Sequence, residues 1–153
     1  MSAITTYPCV TRDEAKEAIK LLGAGNKELK LEPVTVLIMS EPGVGKTAIL
    51  QDLREEMGED EYDFIYVDGP NKEMMDLAAT IPNHETKSLE HYVAELFKIN
   101  NGKKKIIMID EALKVPKLMQ PIYTRLYLER TIGDEQLPDG SIVFATTNNI
   151  SDS

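Results

Sequence analysis

The sequence predicts an α/β fold, a parallel sheet held between helices as a three-layer sandwich, and three observations carry that expectation. Four strand-length apolar runs, over residues 34–39, 62–67, 105–109 and 142–146, alternate with segments of helical period. The first of them, Val34, Thr35, Val36, Leu37, Ile38, Met39, lacks the polar alternation of a half-exposed strand and reads as one covered on both faces, near the centre of the sheet. It runs straight into a glycine-bearing turn and then a helix, the connection from which right-handed βαβ units are built.

Each element has its own signal. Thr11 and Glu14 form a capping box for a helix with the stripe Ala15, Ala18, Ile19, Leu22, stopped by Gly23 and expected to lie on the sheet. After the polar stretch 25–33 and the first strand, Ile49, Leu50, Leu53 and Met57 mark a second helix that stops at Gly58. Residues 62–67 form the second strand, ended by Asp68-Gly69-Pro70-Asn71. A short helix is expected over residues 74–79 with a loop through Pro82, and Ser88 is placed as the cap of a helix bearing Leu89, Tyr92, Val93, Leu96 and Phe97. Asn100-Asn101-Gly102 breaks it before the third strand. Leu118, Met119, Ile122 and Leu126 stripe the next helix, which Pro121 either kinks or starts. Gly133-Asp134 is a turn, 137–140 a loop, and 142–146 the fourth strand.

Length and charge narrow the function classes. The 153 residues fit one domain. A net charge of −9 argues against a nucleic-acid partner, because neutralising phosphates needs a concentrated basic surface. The one basic cluster, Lys103-Lys104-Lys105, reads as a solvated turn whose charges guard the strand behind it. A single cysteine, Cys9, cannot form an internal disulfide and fits a reducing compartment. With no charged-then-apolar leader and no run of membrane-spanning length, a cytoplasmic protein without a membrane partner is expected. His84 and His91 have no metal-ligand spacing, and the seven methionines read as core filler or a docking surface.

The chemistry begins at Ser40-Glu41-Pro42-Gly43-Val44-Gly45-Lys46-Thr47. Gly43 and Gly45 let the backbone of a strand-to-helix turn approach a phosphate closely, and the N–H groups of Gly43, Val44, Gly45, Lys46, Thr47 and Ala48, with the positive end of the following helix, suit the phosphates of a nucleoside triphosphate. Lys46 is placed to reach the β- and γ-phosphates and the Thr47 hydroxyl to coordinate Mg²⁺. Ser40 stands where the full pattern has its first glycine.

A second motif, Ile106-Ile107-Met108-Ile109-Asp110-Glu111, delivers two acids at the carboxyl end of a buried strand, the edge at which open α/β sheets bind ligands. Asp110 would hold the Mg²⁺ through water beside Thr47, and Glu111 would deprotonate the water that attacks the γ-phosphate. Third, Val143-Phe144-Ala145-Thr146-Thr147-Asn148 ends in an amide that could bond the attacking water or the γ-phosphate.

Together these motifs resemble the AAA+ ATPases, and among them the MoxR-like branch, over about residues 8–149. The first looks like the family's Walker A and the second its Walker B. Leu128-Glu129-Arg130, Leu137-Pro138-Asp139 and residues 143–148 are similar to its run up to sensor 1, with Asn148 as the sensor residue. The resemblance implies a P-loop NTPase sheet in the order 5-1-4-3-2, ATP and Mg²⁺ as cofactors, ATP hydrolysis, a protein client or adaptor, and a homo-oligomeric ring, a hexamer, for the full-length protein. It places residues 8–10 near the adenine and makes Asp68 a candidate for restraining Glu111. Ala112-Leu113-Lys114 departs from the Ile-Asn-Arg common in MoxR-like chains.

The whole chain, residues 1–153, thus reads as an AAA+ nucleotide-binding core truncated before the fifth strand and the helical lid. Residues 34–39 would then form an exposed apolar edge, Arg125 and Arg130 serve as structural or intersubunit ion-pair residues, and the isolated chain turns over little ATP. Two other classes stay open: a nucleotide-dependent binding module or switch without turnover, and a small-molecule kinase. Glu111 beside Asp110 favours water activation over transfer to an acceptor.

Overall fold

The computed structural model describes residues 11–40, 46–71 and 86–148. A four-stranded parallel sheet runs through its middle: β1 (Val36–Ser40), β2 (Tyr62–Asp68), β3 (Lys104–Asp110) and β6 (Ile142–Asn148), in the spatial order β1-β6-β3-β2. That is the expected order of the first four core strands, and among the described residues none pairs beyond β1.

Helices cover both faces. The capping box of α1 (Arg12–Gly23) forms as expected, with Thr11 Oγ1 accepting from the Glu14 N–H and Glu14 Oε1 from the Thr11 N–H, both at 3.1 Å. Ala15 and Ile19 of α1 and Ile49, Leu50 and Leu53 of α2 (Lys46–Met57) pack on Ile106, Met108, Ile142 and Phe144. Ion pairs lash the two helices together: Arg12 to Asp52, and Lys16 and Lys20 to Glu56. On the opposite face, α3 (Thr86–Leu96) and α4 (Gln120–Glu129) bury Leu89, Val93, Ile122, Tyr123 and Leu126 against Ile107, Ile109, Val143 and Ala145. The even and odd residues of β3 thus feed two separate cores, which is why its sequence is apolar without alternation.

Several sequence expectations are corrected. The first strand begins at Val36 and, among the described residues, pairs only with β6; it lies at the sheet edge, as the exposed-edge expectation has it, and not near the centre, so Val34 and Leu37 are about half exposed rather than covered on both faces. Ser88 sits inside α3, which starts at Thr86, so it does not cap that helix. Pro121 falls in the first turn of α4, where its missing N–H costs nothing, and the helix starts there instead of kinking. A two-stranded hairpin, β4 (Thr131–Ile132) and β5 (Glu135–Gln136), surrounds the predicted turn at Gly133-Asp134 and has too few residues to show a period in the sequence.

The largest correction concerns Lys105. It is no solvated guard: its side chain is wholly buried and donates to Asp63 Oδ2 at 2.7 Å and to Asn101 Oδ1. Arg130 is buried as well, donating to Thr35 Oγ1 at 2.7 Å and the Gly23 carbonyl at 3.3 Å, which ties the end of α4 to α1 and the approach to β1. Burial lowers its guanidinium to about 10. Arg125 pairs with Glu129 on the surface of α4, and His91 with Glu95 on that of α3.

Candidate functional site

Parallel strands that share a register bring their carboxyl ends level, and here the predicted residues converge at that edge. Ile109 is opposite Ala145, so Asp110 and Thr146 come next in line on neighbouring strands, and Asp68 is opposite Asp110 on the other side. Asn148 lies opposite Ser40, the last residue of β1 before the glycine-bearing turn. Strand alternation puts Asp110 on the face of Ile106 and Met108, the side that α2 covers.

The Asp110 carboxylate is held from both flanks. Thr146 Oγ1 donates to Oδ1 at 2.6 Å and the Tyr66 hydroxyl to Oδ2 at 2.7 Å. Tyr66 lies on β2, and with Thr47, Leu50, Gln51 and Arg54 of α2 it lines a cleft of about 250 Å³. Thr47, in the first turn of α2, and Asp110 therefore share one neighbour, Tyr66. Partial burial, the hydrogen bond to Asp110 and the nearby Asp110, Asp68 and Glu111 charges all push the Tyr66 phenol upward, which keeps its proton in place for donation.

Glu111 leaves the strand abruptly. It adopts the left-handed conformation (φ 54°, ψ 47°) and opens a 3₁₀ turn, Ala112–Lys114. Its largely buried carboxylate meets Lys114 Nζ at 3.1 Å. Gly69 supports this bend from behind, its N–H donating to the Asp110 carbonyl at 2.7 Å. A Cβ on Gly69 would stand 2.5 Å from the Glu111 carbonyl oxygen and 2.6 Å from that of Asp110, closer than real Cβ atoms come.

Of the remaining predicted positions, Gly43, Val44 and Gly45 lie outside the described residues, as do Cys9, the 8–10 stretch, the 74–79 helix, Pro82 and His84. Lys46 is described only as the backbone start of α2, and Ala48, two residues on, is half buried. Tyr66 and Gly69 escaped sequence reasoning. An aromatic in a strand has no mark of function, whereas the Asp-Gly-Pro end of β2 did signal a turn.

Oxygen donors are what Mg²⁺ takes, and it is commonly held by one or two protein oxygens with phosphates and water completing the shell. The Asp110 carboxylate at the strand end and the threonine Thr47 in the first turn of α2 are of the donor type that habit needs. Among the described residues no cluster of three or more His, Cys, Asp or Glu could hold a metal unaided.

A profile of the ATPase family associated with various cellular activities (AAA) matches residues 36–153. The chain belongs to the AAA family. A search of curated protein sequences found no match. Among solved structures, this AAA chain is similar to the Thermotoga maritima RuvB Holliday junction branch migration motor (TM-score 0.51, 15% identity, 94% of this chain and 40% of that one). A point variant of the same RuvB gives 0.51, 16%, 92% and 40%. Caenorhabditis elegans PCH-2 gives 0.49, 12%, 90% and 34%. At such identities the RuvB likeness speaks for the fold alone, that of an AAA+ P-loop core. The chain spans 40% of the length of the RuvB structure. Among the described residues no helix is long and apolar enough to cross a membrane.

Proposed function

We propose that the chain is the nucleotide-binding core of a MoxR-like AAA+ ATPase. It binds ATP with Mg²⁺, hydrolyses it, and in a full-length hexameric ring in the cytoplasm uses the energy to remodel a protein partner. The observation that carries this reading is the Asp110 carboxylate held by Tyr66 and Thr146 at the carboxyl edge of the sheet, with Tyr66 also lining a cleft beside Thr47, where α2 begins.

In this reading the N–H groups of Gly43, Val44, Gly45, Lys46, Thr47 and Ala48 cradle the phosphates, and the Lys46 ammonium reaches the outer two. Thr47 and Asp110 hold the Mg²⁺, whose charge offsets that of the phosphates. Glu111 takes the proton of the attacking water and Asn148 orients that water or the γ-phosphate. Pre-set hydrogen bonds at Asp110 spare reorganisation when nucleotide arrives.

Calorimetric titration with ATP and Mg²⁺ tests the reading. Lys46→Ala should lose at least tenfold in affinity, since hydrogen bonds from a charged donor are worth about 1.5–3 kcal/mol. Unchanged affinity in a folded variant would defeat it.

One observation favours the second reading, a switch that holds ATP without turnover. The Lys114 ion pair occupies the carboxylate that would act as base. Phosphate release that stays at background in the wild-type chain and rises in Lys114→Ala would support the switch.

A further inference from the structure

Tyr66 and Thr146 grip Asp110 from opposite strands, and nothing in the phosphate-binding or acid motifs calls for either hydroxyl. The terminal torsion of an aspartate is soft and two-fold, so a carboxylate at a strand end swings unless something fixes its plane. Here the fixing is two-sided. The phenol of β2 donates to one oxygen at 2.7 Å and the threonine of β6 to the other at 2.6 Å. Register is what allows it, because Tyr66, Asp110 and Thr146 all point to the α2 side of three adjacent strands. Tyr66 also lines the cleft beside Thr47, at the start of α2.

We propose that Tyr66 is a positioning residue, acting with Thr146 to aim the Asp110 carboxylate at the nucleotide-bound divalent cation. The inference rests on the ATP-binding reading above. Together the two hydroxyls remove the rotation that would otherwise spread the directions in which the carboxylate faces a cation or its water shell. Partners one step behind metal ligands typically change metal affinity by about 10–100-fold.

The test separates metal-linked from metal-independent binding. A fluorescent ATP analogue is titrated into the full chain with EDTA and then across a Mg²⁺ series, for wild type, Tyr66→Phe and Thr146→Val. Tyr66 is 47% exposed, so the phenylalanine variant removes an oxygen without opening the core, and thermal melting checks its fold. We expect Tyr66→Phe to bind the analogue within twofold of wild type in EDTA. The Mg²⁺ concentration for half-maximal tightening should rise about tenfold, with Thr146→Val moving it in the same direction. Bound Mn²⁺, followed by its electron spin resonance spectrum, should show the same weakening. An unchanged Mg²⁺ midpoint in Tyr66→Phe, or equal losses with and without Mg²⁺, overturns the positioning role and leaves the ATP reading standing. A wild-type chain that binds no analogue under either condition overturns both.

Discussion

Lys105 Nζ lies fully buried 2.7 Å from Asp63 Oδ2, bridging two residues that face each other across β3 and β2 at the end of the sheet opposite the candidate site. Asn101 completes the cage, donating to Asp63 Oδ2 through Nδ2 and accepting from Lys105 through Oδ1. Removing one member of such a pair strands the other. Asp63→Asn should destabilise the fold by about 3–5 kcal/mol, whereas Asp63→Leu with Lys105→Met should recover most of that, because an apolar pair needs no desolvated charge. Urea unfolding of the three proteins checks both expectations.

The same pair predicts an acid limb of stability. Burial pushes the Asp63 carboxyl up, but the hydrogen bonds from Lys105 and Asn101 and the Lys105 and Lys103 charges outweigh it and hold the group at about 2, below its ordinary 3.8. A depressed carboxyl stabilises the fold above the unfolded-state value and loses that contribution as pH falls through the folded one. The stability gap between wild type and Asp63→Asn should therefore be flat above about pH 5 and narrow by roughly 2 kcal/mol as pH falls from about 5 to about 2. A gap that stays constant over that range contradicts the assignment.

The two acids at the end of β3 should fail differently. Glu111→Gln keeps the shape and the amide oxygen but loses the base, so ATP should still bind while turnover in the full-length protein drops by about 10²–10⁴. Asp110→Asn should instead weaken the Mg²⁺ dependence of binding, because it removes the charge that Tyr66 and Thr146 hold in place. Binding with and without Mg²⁺, set beside phosphate release, distinguishes the pair. Equal losses of ATP affinity in both variants would contradict the division of labour.

What the sequence made legible and what it hid follow from locality. Thr11 and Glu14 announced α1 because a capping box is complete within four residues, and the apolar run 106–109 announced β3 because it is buried on both faces. Asp110 and Glu111 could be placed at the ligand-binding edge because a strand has two ends and open α/β sheets use one of them. Lys105 was misread because its partner Asp63 lies 42 residues upstream, and a lysine in a basic triplet looks solvated until that partner is known. Tyr66 was invisible for the same reason, since only the cross-strand register brings its hydroxyl to Asp110. The first strand's composition is that of a buried strand, and its place at the edge could be expected only from the family resemblance, which sets it between two neighbours of which one is β6.

Arg130 and Thr35 predict a cost that a methionine should largely spare. Arg130→Ala removes the buried stem as well as the charge and should lose about 2–4 kcal/mol, while Arg130→Met keeps the packing and discards a buried cation. Thr35 stays satisfied in either variant, because its hydroxyl also donates to the Tyr127 carbonyl at 2.8 Å. Thermal melting should rank wild type and Arg130→Met close together and Arg130→Ala well below. Equal losses in the two variants would instead assign the stability to the guanidinium.

Gly69 offers a test in which stability and binding can be told apart. Its backbone N–H bonds the Asp110 carbonyl, and a methyl group there would meet two backbone oxygens at 2.5 and 2.6 Å, atoms that no rotamer change can move aside. The relief must come from displacing the 110–111 peptide, which carries both proposed functional acids. Gly58, just past α2, is the matched control: its φ of +81° strains any other residue, but nothing lies within 4 Å of its Cβ position. Gly58→Ala should cost about 1 kcal/mol from backbone strain and leave ATP affinity alone. Gly69→Ala should cost about 1–3 kcal/mol from overpacking and also weaken Mg²⁺-dependent ATP binding, since Asp110 shifts relative to Thr47 and Tyr66. Chemical denaturation gives the first quantity and calorimetry the second. If Gly69→Ala lowers stability but binds ATP and Mg²⁺ like the wild type, the glycine serves the turn alone and the acids do not depend on its close approach.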